Sequence, residues 1–414
     1  MSLENRWTGG QYSVYRVVFG LYLLVHFLQL LPWGAELFSN AGVLPNAVAS
    51  PVFRLFPSIL RIDDSPGVVT LLLAVAACAS VFFAIGKWDR AAAAILWYIW
   101  ACLFGRNPLI NNPGLPYIGW LLLAHVFIPP SPYGAWSSRD RIDPSGAWEM
   151  PAPIYAVAWI LMALGYTYSG YTKLVSPSWI DGTALARVLE NPLARPGFLH
   201  DALLSLPLLL KIGTWGGLCL EIAFAPLALV RGARPWIWTG MLMMHLGLMI
   251  LIDFVDLSFG MVVLHLFTFD PGWVRKYKES FTETIFYDGH CGLCHRFVRF
   301  VLAEDSGGNA FQFAPLQGER FLSNVPESQR KELPDSLVLA TADKAILTKS
   351  TAMLHILRRL GGLWWAAALL VGLVPARLRD AVYDGMAGIR HRLFAAPQGA
   401  CPFVPARLRG RFLT

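Results

Sequence analysis

Charge is scarce in this 414-residue sequence: Asp, Glu, Lys and Arg make up 15% of it, against 55% apolar residues. A soluble globular domain carries about a quarter charged residues, so the deficit excludes a wholly water-exposed chain. Cysteine is sparse too, with six in all. Cys78, Cys102 and Cys219 fall inside apolar runs, where a buried thiol is expected. Cys291, Cys294 and Cys401 fall in the polar final third, and three cysteines exclude a disulfide framework while leaving room for one reactive pair and a further thiol. There is one C-x-x-C, half of what a four-cysteine zinc site needs, so no metal is expected. No small-residue cleavage site follows the first apolar run, residues 14–33, which reads as a retained span rather than a removed leader. No nucleic-acid motif accompanies the net charge of +7; much of the excess lies beside apolar runs and at the C-terminus, as suits an anionic membrane face.

What is abundant is apolar sequence, with sixteen tryptophans. After residues 14–33, apolar runs recur at 68–85, 91–104, 115–128, 153–168, 214–230, 235–252 and 257–269, giving about eight crossings, and 203–210 reads as a re-entrant or interfacial piece. Turns such as Asn111-Asn112-Pro113-Gly114 end the helices, because proline removes a donor and glycine relaxes the backbone. With eight crossings, Arg16, Lys87, Arg90, Arg139, Arg141, Arg231 and Arg234 fall on one side close to span ends, whereas the basic residues of the other side are spread over longer loops, which places both termini in the cytoplasm of a bacterial inner membrane. The expected fold is therefore an α-helical multi-pass membrane bundle over residues 1–275. A small α/β thioredoxin-like domain over 281–414 follows it.

That second domain opens on Ile285-Phe286-Tyr287, an Asp288-Gly289 turn, and Cys291-Gly292-Leu293-Cys294 at the start of an amphipathic helix over 292–304. Free N–H groups and the positive dipole end at a helix start favour thiolate over thiol. Cys291 is the expected nucleophile and the more exposed of the pair, and Cys294 the resolving thiol. His290 and His295 stand ready to add positive charge, and Asp288 to cap the helix or help deprotonate Cys294. Strands at 310–314, 336–340 and 345–348 and a helix at 350–360 complete a β-α-β…β-β-α order. Pro334, before the third strand, is expected to be cis beside the cysteines. Residues 363–374 read as a helix on the domain or the membrane surface, and 377–411 as a basic tail.

Asp288-x-x-Cys291-x-x-Cys294, with Phe313-Ala314-Pro315-Leu316-Gln317, Leu333-Pro334-Asp335-Ser336 and Arg390-His391-Arg392-Leu393-Phe394 downstream, resembles the DCC thiol-disulfide oxidoreductases. The resemblance implies thiol-disulfide exchange and names no substrate. On a cytoplasmic face the dithiol would act as a reductant on an unknown thiol or disulfide substrate, recharged by a cytoplasmic electron donor, with no cofactor required.

In the apolar part, Tyr166-Thr167-Tyr168-Ser169-Gly170-Tyr171-Thr172-Lys173 puts one lysine among hydroxyls at a helix end. A desolvated amine there serves as a base, and a snorkelling lysine with belt tyrosines is the plainer reading. Glu221, Asp253 and Asp256 are carboxylates of the kind that face a cavity, while His26, His125 and His265 read as satisfied core histidines. Residues 11–274 resemble the HTTM domain shared with vitamin K-dependent gamma-carboxylase, through Tyr15-Arg16, Ser169-Gly170-Tyr171-Thr172-Lys173-Leu174, Trp179 and Trp215-Gly216-Gly217-Leu218. That resemblance implies that Lys173 is a base acting with a quinone or hydroquinone. Asn111-Asn112 departs from the carboxylase pattern in being followed by Pro113 rather than histidine. The sequence thus favours a membrane-anchored thiol-disulfide oxidoreductase, ahead of Lys173-centred quinone or lipid chemistry and of a non-enzymatic scaffold with a redox-switch thiol pair.

Overall fold

The computed structural model describes residues 5–53, 55–253, 255–274, 281–305, 307–334, 336–394 and 404–413, with the side chains of 255–257 excluded. Cys401 and Asp335 therefore lie outside the described residues, as does the Asp256 side chain. The described residues form two compact units: those of 15–130 and 151–269 the first, and those of 5–14, 131–150 and 270–413 the second.

The first unit is built on helices α1 (Gly9–Leu30, whose first residues belong to the second unit), α2 (Pro66–Ile85), α3 (Asp89–Arg106) and α4 (Leu115–Phe127), then α5 (Ala152–Lys173), α6 (Pro207–Leu229), α7 (Arg234–Leu251) and α8 (Val255–Thr268). Each apolar run read as a crossing is the body of one of these. Four of them, α1, α2, α5 and α6, are long and apolar enough to cross a membrane. Proline stands in the first turn of α2, α4, α5, α6 and α7, where its missing N–H has no intrahelical partner to lose. That tolerance corrects the reading of 203–210. Its first residues end the short helix Phe198–Leu204, and Pro207 opens α6 seven residues before the apolar run expected at 214.

Buried polar contacts tie these helices together. Arg16 and His125 approach Asp89 at 4.0 and 3.5 Å, and Arg106 pairs with Asp64 at 3.0 Å. Cys102 is buried as expected, but Cys78 and Cys219 are exposed. Helices with apolar residues on every side turn some of them outward, so apolar neighbours do not imply depth.

The second unit holds a four-stranded sheet. Its strands are β1 (Glu283–Tyr287), β2 (Phe311–Pro315), β3 (Val338–Ala340) and β4 (Ile346–Thr348), ordered β2-β1-β3-β4, with β1 parallel to β2 and antiparallel to β3. Helix α9 (Gly292–Glu304) crosses between β1 and β2, and α10 (Lys349–Leu360), α11 (Gly362–Gly372) and α12 (Ala376–Leu393) follow β4. This is the thioredoxin-like order. Successive residues of β1 alternate faces: Ile285 and Tyr287 pack with Val298, Val301 and Ile356, and Phe286 packs with Phe321 and Val325 on the other side. The outer edge of β2 is covered by the C-terminal segment, where Phe313 exchanges hydrogen bonds of 2.8 Å with Arg411 and Leu413. The expected basic tail is in fact helical over α12, and α11 rests on the domain through Trp364, whose ring meets Phe300 edge-on at 4.9 Å.

Candidate active site

The loop after β1 and the first turn of α9 bring the thiols together. Cys291 occupies the position before the helix with extended backbone angles, and its sulfur accepts the Cys294 N–H at 3.3 Å. Cys291, not Asp288, therefore caps α9. The Asp288 carboxylate instead accepts the His290 N–H at 2.9 Å and the Gln317 amide at 3.2 Å, and faces Arg390 at 3.6 Å and His391 at 3.8 Å on α12. Partial burial works to raise the Asp288 pKa, but those hydrogen bonds and the neighbouring Arg390 guanidinium outweigh it and hold the carboxyl below its ordinary range.

Exposure of the pair is the reverse of expectation. Cys291 is fully buried, and Cys294 is the partly open one. α12 brings His391 over the loop, so that its ring nitrogen, an Asp288 carboxylate oxygen and the Cys291 sulfur lie within 4.8 Å of one another. Burial pushes the Cys294 thiol up to about 12, and the hydrogen bond to Cys291 adds to this. Cys294 lines an apolar pocket of about 280 Å³ with Leu293, Phe297, Leu337, Met353 and Met386, and Arg390 at its polar margin. Pro334 is not in that wall. No cis peptide occurs among the described residues, and Ser336 and Leu337 face the thiol from this side because β3 starts only at Val338. His295 is turned away, its Nε2 3.0 Å from the Gly289 carbonyl oxygen, and His290 is exposed.

In the helical unit, Lys173 Nζ lies 2.5 Å from each carboxylate oxygen of Glu221 and 4.4 Å from the centre of the Trp179 ring. Three local features set this up. Gly170 lets α5 approach α6 so closely that a Cβ there would stand 2.8 Å from Ile222 N. Pro226 inside α6 removes the N–H that would bond Ile222 O, and the Thr167 hydroxyl reaches that oxygen at 3.5 Å and Glu221 O at 3.2 Å. Glu221 itself is buried, so its carboxylate needs a cation beside it. A lysine merely extending to the surface is not what this geometry shows. Tyr168 and Tyr171 point outward, whereas Tyr166 is buried with its hydroxyl 3.5 Å from His265 Nδ1. His125 meets Asp89 as a core histidine should, whereas His265 has Nδ1 2.9 Å from Met261 O but leaves its buried Nε2 without a hydrogen-bond partner among the described residues. The sequence offers Asp256 as a partner for His245 only if one helix runs unbroken through Leu251; α7 instead ends at Leu251, and neither ring nitrogen of His245 has a hydrogen-bond partner among the described residues. Asp253 pairs with Arg195 at 3.3 Å on the surface.

Comparison with known proteins is consistent with both halves. Residues 8–273 match the HTTM domain, and residues 285–396 match the DCC1-like thiol-disulfide oxidoreductase. Among curated proteins, the uncharacterized protein YuxK of Bacillus subtilis is 33% identical over 135 residues, 32% of this chain and 93% of that protein. A chloroplastic DCC family protein of Arabidopsis thaliana is 30% identical over 129 residues, 30% of this chain and 73% of that protein. No solved structure matches.

Proposed function

This chain belongs to the HTTM-domain family and carries a DCC1-like thiol-disulfide oxidoreductase domain, and on that premise we propose that it is a membrane-anchored disulfide reductase working through Cys291 and Cys294. The Cys291 thiolate attacks one sulfur of a substrate disulfide, forming a mixed disulfide and releasing the other substrate sulfur as a thiolate. Cys294, deprotonated with help from Asp288, then attacks the Cys291 sulfur, closes the Cys291–Cys294 disulfide and releases the second substrate thiol. Two electrons pass to the substrate, and a cytoplasmic dithiol donor returns two to the pair. The apolar helices anchor the domain in the bilayer, with both termini cytoplasmic.

The observation that carries this reading is the asymmetry of the two sulfurs. The Cys291 sulfur accepts the Cys294 N–H at the start of α9, whereas the Cys294 thiol is pushed up to about 12, which fits an attacking and a resolving thiol once α12 moves aside from the buried Cys291. In the full-length protein, Cys294→Ser should accumulate a mixed disulfide that dithiothreitol reverses, and Cys291→Ser should accumulate none. Trapping by Cys291→Ser instead would reverse the roles.

The Lys173–Glu221 contact beneath Trp179 favours a second centre, in which Lys173 acts as a base on a bound quinone or hydroquinone. A lipid extract of the purified protein should then contain a quinone that is lost from Lys173→Ala.

A further inference from the structure

We propose that Asp288, Cys291, Cys294 and His391 form a binding site for one divalent, thiophilic metal ion of the zinc type. A carboxylate oxygen of Asp288, the Cys291 sulfur and a ring nitrogen of His391 lie within 4.8 Å of one another. Cys294 lies beside them, its thiol hydrogen-bonded to the Cys291 sulfur. Two sulfurs, an imidazole nitrogen and a carboxylate oxygen are a donor set suited to zinc in tetrahedral geometry. With metal–ligand distances of about 2.0–2.3 Å, the donors of such a site stand about 3.3–3.8 Å apart. Closing by about 1 Å is within reach of a side-chain rotation of His391, which is 54% exposed.

Charge supports the assignment. Two thiolates and the Asp288 carboxylate sum to three negative charges, which a dication and the neighbouring Arg390 guanidinium neutralise while His391 stays neutral. Each bound ion displaces two protons, one from each thiol. The ion would bridge the first turn of α9 to α12 and close the cover over Cys291. Because its ligands are the exchanging sulfurs, metal-bound protein cannot attack a disulfide, so metal and substrate exclude each other.

The test uses the full-length reduced protein in detergent with any affinity tag removed, and cobalt(II) as the probe. One equivalent should produce thiolate-to-cobalt charge-transfer absorption and the intense ligand-field bands of a tetrahedral site, bleached by one equivalent of zinc. Cys291→Ser should abolish the charge-transfer band. His391→Ala should weaken cobalt binding at least tenfold. Arg392→Ala, on the same turn of α12, should bind as the parent does. No charge-transfer band at one equivalent, or a His391→Ala spectrum and affinity equal to the parent's, would overturn the proposal. Failure to trap a mixed disulfide while cobalt still binds would count against thiol exchange and not against the metal site.

Discussion

The Glu304 carboxylate, at the last residue of α9, accepts the backbone N–H of Gly10 in the first turn of α1 at 2.8 Å. It also accepts the Thr8 hydroxyl and, at 2.6 Å, the Trp364 indole N–H. The first N–H groups of a helix have no internal acceptor, so a carboxylate placed there satisfies them and meets the positive end of the dipole. The helix that begins with the cysteines thus ends by capping residues 8–10 of its own compact unit. Burial raises the Glu304 pKa despite these donors. A carboxyl whose folded value is raised favours the protonated fold. The associated stability is full below its unfolded value, roughly 4.3, and is lost as pH rises through the folded value. Thermal unfolding of the parent should therefore move to lower temperature as pH rises from 5 to 8, and Glu304→Gln should be flatter over that range. Equal pH slopes would show that Glu304 is not titrating in this window.

The Lys173–Glu221 pair makes a prediction about truncation. Lys173→Ala leaves a buried carboxylate uncompensated, which costs about 3–5 kcal/mol where such pairs have been broken. Replacing both, as Lys173→Met with Glu221→Leu, should recover most of the loss because neither charge then remains. Thermal unfolding of the detergent-solubilised variants gives the comparison. A double variant no more stable than Lys173→Ala would mean that the pair does not govern the α5–α6 contact.

Helix α9 was legible because two local signals agreed: a C-x-x-C where the helix starts, and Val298, Val301 and Leu302 at helical spacing behind it. The burial of Cys291 was not legible, because His391, whose ring nitrogen comes within 4.8 Å of its sulfur, stands a hundred residues further on. A signal for α12 was present in Leu378, Val382, Met386, Ile389 and Leu393, whose spacing is helical, but the arginines between them read as a tail. In the bundle, run length gave the helices. It did not give depth, since Cys78 and Cys102 sit in similar runs with opposite exposure.

Orientation is open to a direct check. The basic residues beside the span ends predict a cytoplasmic C-terminus. An alkaline phosphatase fused after Thr414 should be inactive, and a cytoplasm-folding fluorescent protein in its place should fluoresce. Active phosphatase would put the thiols on the oxidising side and turn the proposed reductase into an oxidase.

Access to Cys291 should depend on how firmly α12 is held. Asp380 on α12 accepts the Ser350 N–H at 3.2 Å and its hydroxyl at 2.5 Å, standing in as a cap for the first turn of α10. Asp384 pairs with Lys349 at 2.6 Å, and the Tyr383 hydroxyl accepts the Leu337 N–H at 3.0 Å. Loss of a cap costs about 1 kcal/mol. If α12 opens and closes faster than a thiol reagent reacts, the labelling rate of a buried cysteine follows the opening equilibrium. Asp380→Ala should then speed alkylation of Cys291 about fivefold, since 1.36 kcal/mol is tenfold. Cys294 is already partly open and should change little. Mass spectrometry of the full-length reduced protein after timed alkylation resolves the two sites. Equal Cys291 rates in parent and variant would mean that something other than the Asp380 contact controls the cover, and equal acceleration at Cys294 would mean that the whole domain has loosened rather than α12 alone.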